Sequence, residues 1–408
     1  MAPHVPGRWN DVVRAAGLVA PDGTVRSTVF AEMSALAART GAINLGQGFP
    51  DVDGPAHVAE AAVAAIRAGR NQYPPGPGVP ELRQAVATHQ RRHYGMDVDP
   101  DTEVLVTVGA TEGLAAAVLA LAGPGDEVVT IEPYYDSYAA VVAAAGATHV
   151  TVPLRAADGG YRLDTDAFRA AVGPRTRVVL LNTPHNPTGA VLDAAELEVV
   201  AAAARQHDVV VVTDEVYEHL VYDGVRHVPV ATLPGMADRT LTVSSAGKTF
   251  SFTGWKVGWV TGPAPLVDAV RAVKQYLTYV ASGPFQYAVA EALTDDDGRA
   301  QAWVADLVAS LEKRRDRLCE GLDAAGFDVV VPQETYFVVA DGRGLGYDDG
   351  AALCARLPEL AGVVGVPVSA FCREGATAEA FRSAVRFTFV KQDDVLDEGV
   401  RRLRALRR

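Results

Sequence analysis

From residue 103 to residue 213, short apolar runs alternate with longer Ala- and Leu-rich segments. Residues 103–108 are apolar and β-branched, which predicts a strand. Residues 112–122 are strong helix formers, stopped by Gly123-Pro124-Gly125. A second strand is predicted over 127–131, a helix over 137–145 ended by Gly146, and extended chain again over 149–153. The pattern returns as strand 177–182, helix 194–207 and strand 209–213. Brief apolar strands separated by helices predict a parallel sheet covered on both faces. Strands over 240–244 and 257–261 bracket a run of small and polar residues, and a helix is predicted over 265–276. From residue 300 the texture changes to a long charged amphipathic helix ending near 325. Short strands (329–331, 336–340, 385–389) then alternate with helices, with a Gly/Asp-rich loop over 342–350. This predicts a second, smaller α+β domain.

A chain of 408 residues exceeds one small core, in keeping with two domains. Its 49% hydrophobic and 21% charged residues are the balance of a globular protein. The net charge of −13 opposes phosphate backbones and anionic lipid, so neither nucleic acid nor a membrane is expected as a partner. Cys319, Cys354 and Cys372 are widely spaced, with no disulfide framework and no metal-ligand spacing; no metal is expected. Residues 1–17 lack an apolar core of signal-peptide length, and the longest apolar runs fall far short of a membrane span, so a cytoplasmic location is expected. Nearly all positive charge is arginine: the only lysines are Lys248, Lys256, Lys274, Lys313 and Lys391. Arginine cannot form an imine under protein conditions, which draws attention to the two lysines within 244–259.

Five motifs carry candidate chemistry. Val108-Gly109-Ala110-Thr111-Glu112-Gly113 lies at a strand-to-helix junction, where free N–H groups, a close-approach glycine and a hydroxyl suit a phosphate; a plain capped turn would look the same. Asn182-Thr183-Pro184-His185-Asn186-Pro187-Thr188-Gly189 ends an apolar strand in a stiff turn that aims Asn186 at the carboxyl edge of the sheet, where such folds bind ligands. Asp214 ends the apolar run 209–213; a carboxylate there needs a positive or hydrogen-bonding partner, and a pyridinium N–H is one. Ser244-Ser245-Ala246-Gly247-Lys248-Thr249 admits three readings. A nucleotide-binding loop lacks its first glycine, since Thr242 stands there. A Ser245-x-x-Lys248 acyl-enzyme lacks its companion motifs. A Schiff-base lysine among small residues fits. Arg386, among apolar neighbours in 384–390, can hold a carboxylate bidentately or serve a structural ion pair.

In this order the motifs resemble those of the class I/II aminotransferases, fold type I of the pyridoxal-phosphate enzymes, over nearly the whole chain (about 27 to 402). Segments 43–51, 71–78, 132–138 and 274–279 are similar to the kynurenine/methionine aminotransferases and to the actinobacterial N-succinyldiaminopimelate aminotransferases. The resemblance implies an α/β fold whose large domain (54–300) has a mostly parallel seven-stranded sheet. It also implies an N-terminal arm with part of the small domain (1–53) and a small C-terminal domain (301–408). The implied cofactor is pyridoxal 5′-phosphate, and the implied partners are an amino acid, a 2-oxo acid and a second copy of the chain in a homodimer with shared active sites.

The resemblance also assigns roles. Lys248 would carry the cofactor and move the proton from the substrate Cα. Asp214 would keep the pyridine nitrogen protonated; Asn186 and Tyr217 would bind the 3′-oxygen; Tyr135 would stack on the ring, with Tyr134 as competitor. Gly109, Ala110, Thr111, Ser245 and Lys256 would bind the phosphate, Lys256 standing where many relatives have arginine. Arg386 would clamp the substrate carboxylate with Asn182 or Asn186 and the Gly48 backbone. Tyr73 would reach the phosphate of a neighbouring subunit and Tyr279 would line its substrate pocket. A cis bond before Pro187 is implied as well. Where aspartate aminotransferases have an arginine for a second carboxylate, residues 277–285 have none, so aspartate is expected to be a poor donor. The expected reaction is a ping-pong transfer from an N-succinyl-diaminopimelate, aromatic/kynurenine or methionine-like donor to 2-oxoglutarate. A cysteine-S-conjugate β-lyase or an amino-acid oxidase on the same fold is the alternative. A ligand-sensing domain of a transcription regulator would need a DNA-binding module, for which too few residues precede the match.

Overall fold

The computed structural model describes residues 7–407 except Pro21 and Asp158. A short strand, β1 (Ile43–Asn44), precedes the eight of the main sheet: β2 (Val104–Val108), β3 (Glu127–Glu132), β4 (Thr148–Ala157), β5 (Gly160–Leu163), β6 (Thr176–Asn182), β7 (Val210–Asp214), β8 (Thr240–Ser245) and β9 (Val257–Thr261). Their order is β2-β9-β8-β7-β6-β3-β4-β5. The pairings from β8 through β7, β6 and β3 to β4 are parallel; β9 runs against both its neighbours, and β5 against β4.

Alternate side chains of a strand point to opposite faces, and here both faces are buried, which is why the strands read as unbroken apolar runs. Leu105, Val128, Val178, Val212 and Val260 share one core with the helices Gly109–Leu121, Ser137–Ala145 and Ala264–Lys274. Val129, Val179 and Val211 pack against the helix Ala194–His207 on the other face. Farther along that sheet Val106 and Trp259 meet the helices Ala56–Arg67, Pro80–Tyr94 and Gly283–Thr294.

The remaining strands are β10 (Asp328–Val330), β11 (Phe337–Asp341), β12 (Val363–Val364), β13 (Val366–Pro367) and β14 (Ala384–Thr388). An antiparallel sheet of order β10-β11-β14-β13 packs against the helices Arg299–Ala325, Gly350–Ala361 and Asp393–Leu403 through Leu318, Leu353, Phe387 and Leu396. The short β1 pairs in parallel with β12.

The expected seven strands are eight. Strand β4 runs on past 153 to Ala157 and turns back as β5, with Arg155 opposite Arg162. Both arginines are exposed, so this edge hairpin lacks the apolar run by which the others were read. The loop expected over 342–350 holds a 3₁₀ turn, Gly342–Leu345, and the next helix starts at Gly350 with Asp349 accepting from Ala351 and Ala352 N.

Candidate active site

The polar residues ending the apolar strands, Asn182, Asp214 and Ser245, sit side by side at the carboxyl edge of β6, β7 and β8. They open onto a cavity of about 350 Å³. Gly48, Gly109, Ala110, Thr111, Tyr135, Asn186, Tyr217, Lys248, Lys256 and Arg386 line the same cavity. Tyr73 and Tyr279 do not. They lie on the surface, 80% and 45% exposed, with their rings edge to face at 5.4 Å.

One end of the cavity is built for an anion. The helix Gly109–Leu121 begins at the end of β2, where Gly109 takes φ 68°. A Cβ there would stand 3.1 Å from the Lys256 Nζ, and one on Gly258 would stand 2.5 Å from the Gly109 carbonyl carbon. Both glycines therefore let β9 and Lys256 close on the start of the helix. Lys256 Nζ reaches Thr111 Oγ1 at 3.5 Å. Burial, and then the charge of Lys248, lower the Lys256 pKa. Two neighbouring cations and a helix N-terminus favour a phosphate.

At the centre, Asp214 is buried and its hydrogen bonds come from neutral donors: Tyr138 OH at 2.6 Å and Val216 N at 3.4 Å. Burial lifts its carboxyl to about 6, against the pull of Tyr138. Among the described residues no cation forms an ion pair with it, although the Lys248 charge acts on it from a distance, and a protonated ring nitrogen would supply such a partner. Tyr135 lines this region; Tyr134 turns away to pack on His149, ring centroids 4.9 Å apart. Lys248, in the short helix Ala246–Thr249 after β8, donates to Tyr336 OH at 2.8 Å, and Tyr336 OH donates to Gly48 O at 2.6 Å. Burial pushes the Tyr217 hydroxyl well above its ordinary pKa, so it is a donor at any working pH.

At the far end Arg386, on β14, is almost fully buried. Nη1 donates to Asn186 Oδ1 at 2.9 Å and Nη2 to Gly46 O at 3.0 Å, while Nε has no hydrogen-bond partner among the described residues. Its guanidinium carbon lies 3.9 Å from the Phe337 ring centroid and 4.7 Å from that of Phe371. Burial lowers its pKa to about 10, so it stays charged at neutral pH. Asn182 is occupied by backbone: Nδ2 donates to Asp214 O at 2.9 Å and Oδ1 accepts from Asn186 N at 2.7 Å. It is therefore Asn186, and not Asn182, that reaches Arg386. The Asn186–Pro187 bond is cis.

Tyr336, Tyr138 and the aromatic floor under Arg386 were missed in the sequence. Tyr336 reads there as an ordinary strand residue; Tyr138 lies within a motif segment but received no role. Only the fold brings each hydroxyl to Lys248 or Asp214.

An anion cup, a lysine among small residues, an unpaired buried carboxylate and a buried guanidinium around one cavity define a pyridoxal-phosphate-dependent transferase of fold type I. The family model for aminotransferase class I and II matches residues 40–403, and the chain belongs to that family. The chain is 59% identical over 385 residues to a probable N-succinyldiaminopimelate aminotransferase of Mycobacterium tuberculosis, covering 93% of this chain and 96% of that one. It is 39% identical over 400 residues to kynurenine–oxoglutarate transaminase 3 of Mus musculus, covering 93% and 88%. The solved structure of N-succinyldiaminopimelate aminotransferase from Mycobacterium tuberculosis superposes with a TM-score of 0.91 at 56% identity, covering 99% of this chain and all of that one. The protein is an aminotransferase, and pyridoxal 5′-phosphate is its cofactor.

Proposed function

We propose that this aminotransferase takes its amino group from an extended amino acid of the N-succinyl-diaminopimelate type and passes it to 2-oxoglutarate. The observation that carries the donor is the 59% identity, over nearly the full length of both chains, to the probable N-succinyldiaminopimelate aminotransferase. Besides Lys248 and Lys256, Arg386 is the only cation among the described lining residues, which bears on short dicarboxylates such as aspartate and does not by itself select the donor. Residues 277–285 supply no arginine for a second short-range carboxylate. The acceptor follows the oxoglutarate in the name of the kynurenine relative.

The bound cofactor supplies a carbonyl that takes the amino group and a ring that accepts the electron pair released at the substrate Cα, so that two half-reactions alternate. Lys248 Nζ carries the cofactor and moves the proton at Cα. Tyr336 OH, already hydrogen-bonded to that nitrogen, limits where it can swing. Asp214 holds the proton on the ring nitrogen, and Tyr138 holds Asp214. Tyr217 and Asn186 bind the ring oxygen, Tyr135 covers the ring, and Gly109, Ala110, Thr111, Ser245 and Lys256 hold the phosphate. Arg386 binds the α-carboxylate with Asn186 and the Gly48 backbone, and Asn182 positions Asn186 from behind.

A homodimer belongs to the same proposal. Tyr73, Tyr276, Leu277 and Tyr279 form an exposed apolar patch, and Thr278 between them hydrogen-bonds Glu112 at the start of the phosphate-cup helix. A second copy on this patch would bring Tyr73 and Tyr279 to its neighbour's cavity. We assign 1–53 to the N-terminal arm and part of the small domain, 54–300 to the cofactor domain and 301–408 to the small domain, and place the enzyme in the cytoplasm. Among the described residues no helix is long and apolar enough to cross a membrane.

The test is a half-reaction screen. Each amino acid is added alone and the visible absorbance of the lysine-bound cofactor is followed. The band should be lost fastest with N-succinyl-diaminopimelate and return with 2-oxoglutarate. Faster loss with kynurenine or methionine would reassign the donor. Pyruvate and ammonia without an oxo acid, or hydrogen peroxide, would mark lyase or oxidase chemistry instead.

A further inference from the structure

On the far side of the segment that follows β7, three histidines converge. His89 and His93 stand one turn apart on the helix Pro80–Tyr94, so their rings share one face. His219, two residues beyond the cavity residue Tyr217, meets them from the chain below. The three ring centroids are 4.6, 4.9 and 5.0 Å apart. One nitrogen from each ring lies within 4.8 Å of the others, the one such convergence of His, Cys, Asp or Glu among the described residues.

One ring-to-ring hydrogen bond accounts for part of this and leaves out His93. His89 Nε2 and His219 Nε2 are 2.7 Å apart, within hydrogen-bond distance, while His89 Nδ1, on a ring 3% exposed, has no partner among the described residues. Tetrahedral ligation does account for it: with Zn–N near 2.0–2.1 Å, three imidazoles on one ion have centroids about 5 Å apart. A histidine pair at i and i+4 is also the spacing at which one helix gives two ligands. The Glu218 side chain, on the residue before His219, accepts hydrogen bonds from Ser244 Oγ and from Tyr94 OH at 2.6 Å. The cluster borders a groove of about 410 Å³ walled by Phe250, Val304 and Val308.

We propose that His89, His93 and His219 bind one divalent transition-metal ion of the zinc class, with its fourth position open to the groove and filled by water. The expectation of no metal rested on the cysteines alone. Such an ion ties the helix Pro80–Tyr94 to the stretch that carries Asp214 and Tyr217 into the cavity, so its effect is on the rigidity of that wall.

The experiment uses the untagged holoenzyme, stripped with a chelator, equilibrated with Zn²⁺ and freed of excess metal by gel filtration. The expected result is one Zn²⁺ per chain and a higher unfolding temperature with Zn²⁺ than without. His93→Gln and His219→Gln should each weaken Zn²⁺ binding by more than about tenfold. Co²⁺ in place of Zn²⁺ should show the ligand-field bands of a tetrahedral site, absent in His93→Gln. Loss of all Zn²⁺ on gel filtration, or equal retention by wild type and His93→Gln, overturns the proposal. His93 sits at the exposed edge of the cluster, so that variant decides the matter even if His219→Gln does not fold.

Discussion

Replacing Arg386 with lysine keeps the charge and removes the fork. In the structure the guanidinium is fixed by Asn186 Oδ1, Gly46 O and the Phe337 ring, which leaves its outward edge to receive a carboxylate through two N–H groups. A lysine can offer one well-aimed donor from that position. Losing one charge-assisted hydrogen bond of about 1.5–3 kcal/mol lowers kcat/KM by roughly 10- to 150-fold. The shorter side chain also leaves Asn186 Oδ1 or Gly46 O without a donor, at about 1–3 kcal/mol of stability. There is a pH signature. Burial takes the arginine from 12.5 to about 10; burial would push a lysine there down from its lower starting point as well, so the variant should lose further activity in mild alkali where the wild type does not. The assay is the single-turnover half-reaction with several amino acids, by stopped-flow absorbance between pH 6.5 and 9. Because every donor has an α-carboxylate, the loss should be about equal for all of them. A loss confined to one donor, or an unchanged dependence on donor concentration, would refute the assignment.

Tyr336→Phe should lower kcat several-fold through one lost hydrogen bond to Lys248, about 0.5–1.5 kcal/mol, with donor KM nearly unchanged; steady-state kinetics check it, and an unaltered kcat would remove Tyr336 from the account. Aspartate should be turned over roughly 10- to 100-fold less efficiently than the preferred donor, since no described lining cation is left for its second carboxylate; comparable kcat/KM values would contradict this. In the cofactor-free protein Asp214 has a folded pKa of about 6 against 3.8 in the ordinary state. A raised carboxyl pKa means that its favourable contribution is present at low pH and is lost as pH rises from about 4 to 6. Cofactor-free Asp214→Asn should therefore gain up to about 3 kcal/mol over wild type above pH 6 and nothing near pH 3.5, while the variant holoenzyme loses activity; urea titration across pH tests it, and a pH-independent difference would sink it.

The sheet was legible because its strands are buried on both faces. Val178 and Val179 point opposite ways and both meet helices, so the strand is unbroken apolar chain from 178 to 181. The edge strand Gly160–Leu163 was not legible, because its outward Arg162 faces solvent and breaks the run. The lining of the cavity was legible where a chemically distinctive residue follows an apolar strand, as with Asp214 at the end of β7 and Lys248 three residues past β8. It was not where the role is assigned by tertiary approach: Tyr336 lies 88 positions from the Lys248 it holds, and Tyr138 lies 76 from Asp214. Asn182 and Asn186 show the intermediate case. Their turn lies at the carboxyl edge of β6, as expected, but which amide faces Arg386 depends on Asn182 being taken by the backbone of Asp214 and Asn186.

The central claim is that Lys248 holds the cofactor. Borohydride reduction of the holoenzyme followed by peptide mass mapping tests it most directly, because reduction fixes the cofactor to whichever amine bears it. The pyridoxyl group is expected on Lys248 alone, with Lys256 unmodified. A pyridoxyl group on Lys256 or another lysine, or a stoichiometric label persisting in Lys248→Ala, would contradict it.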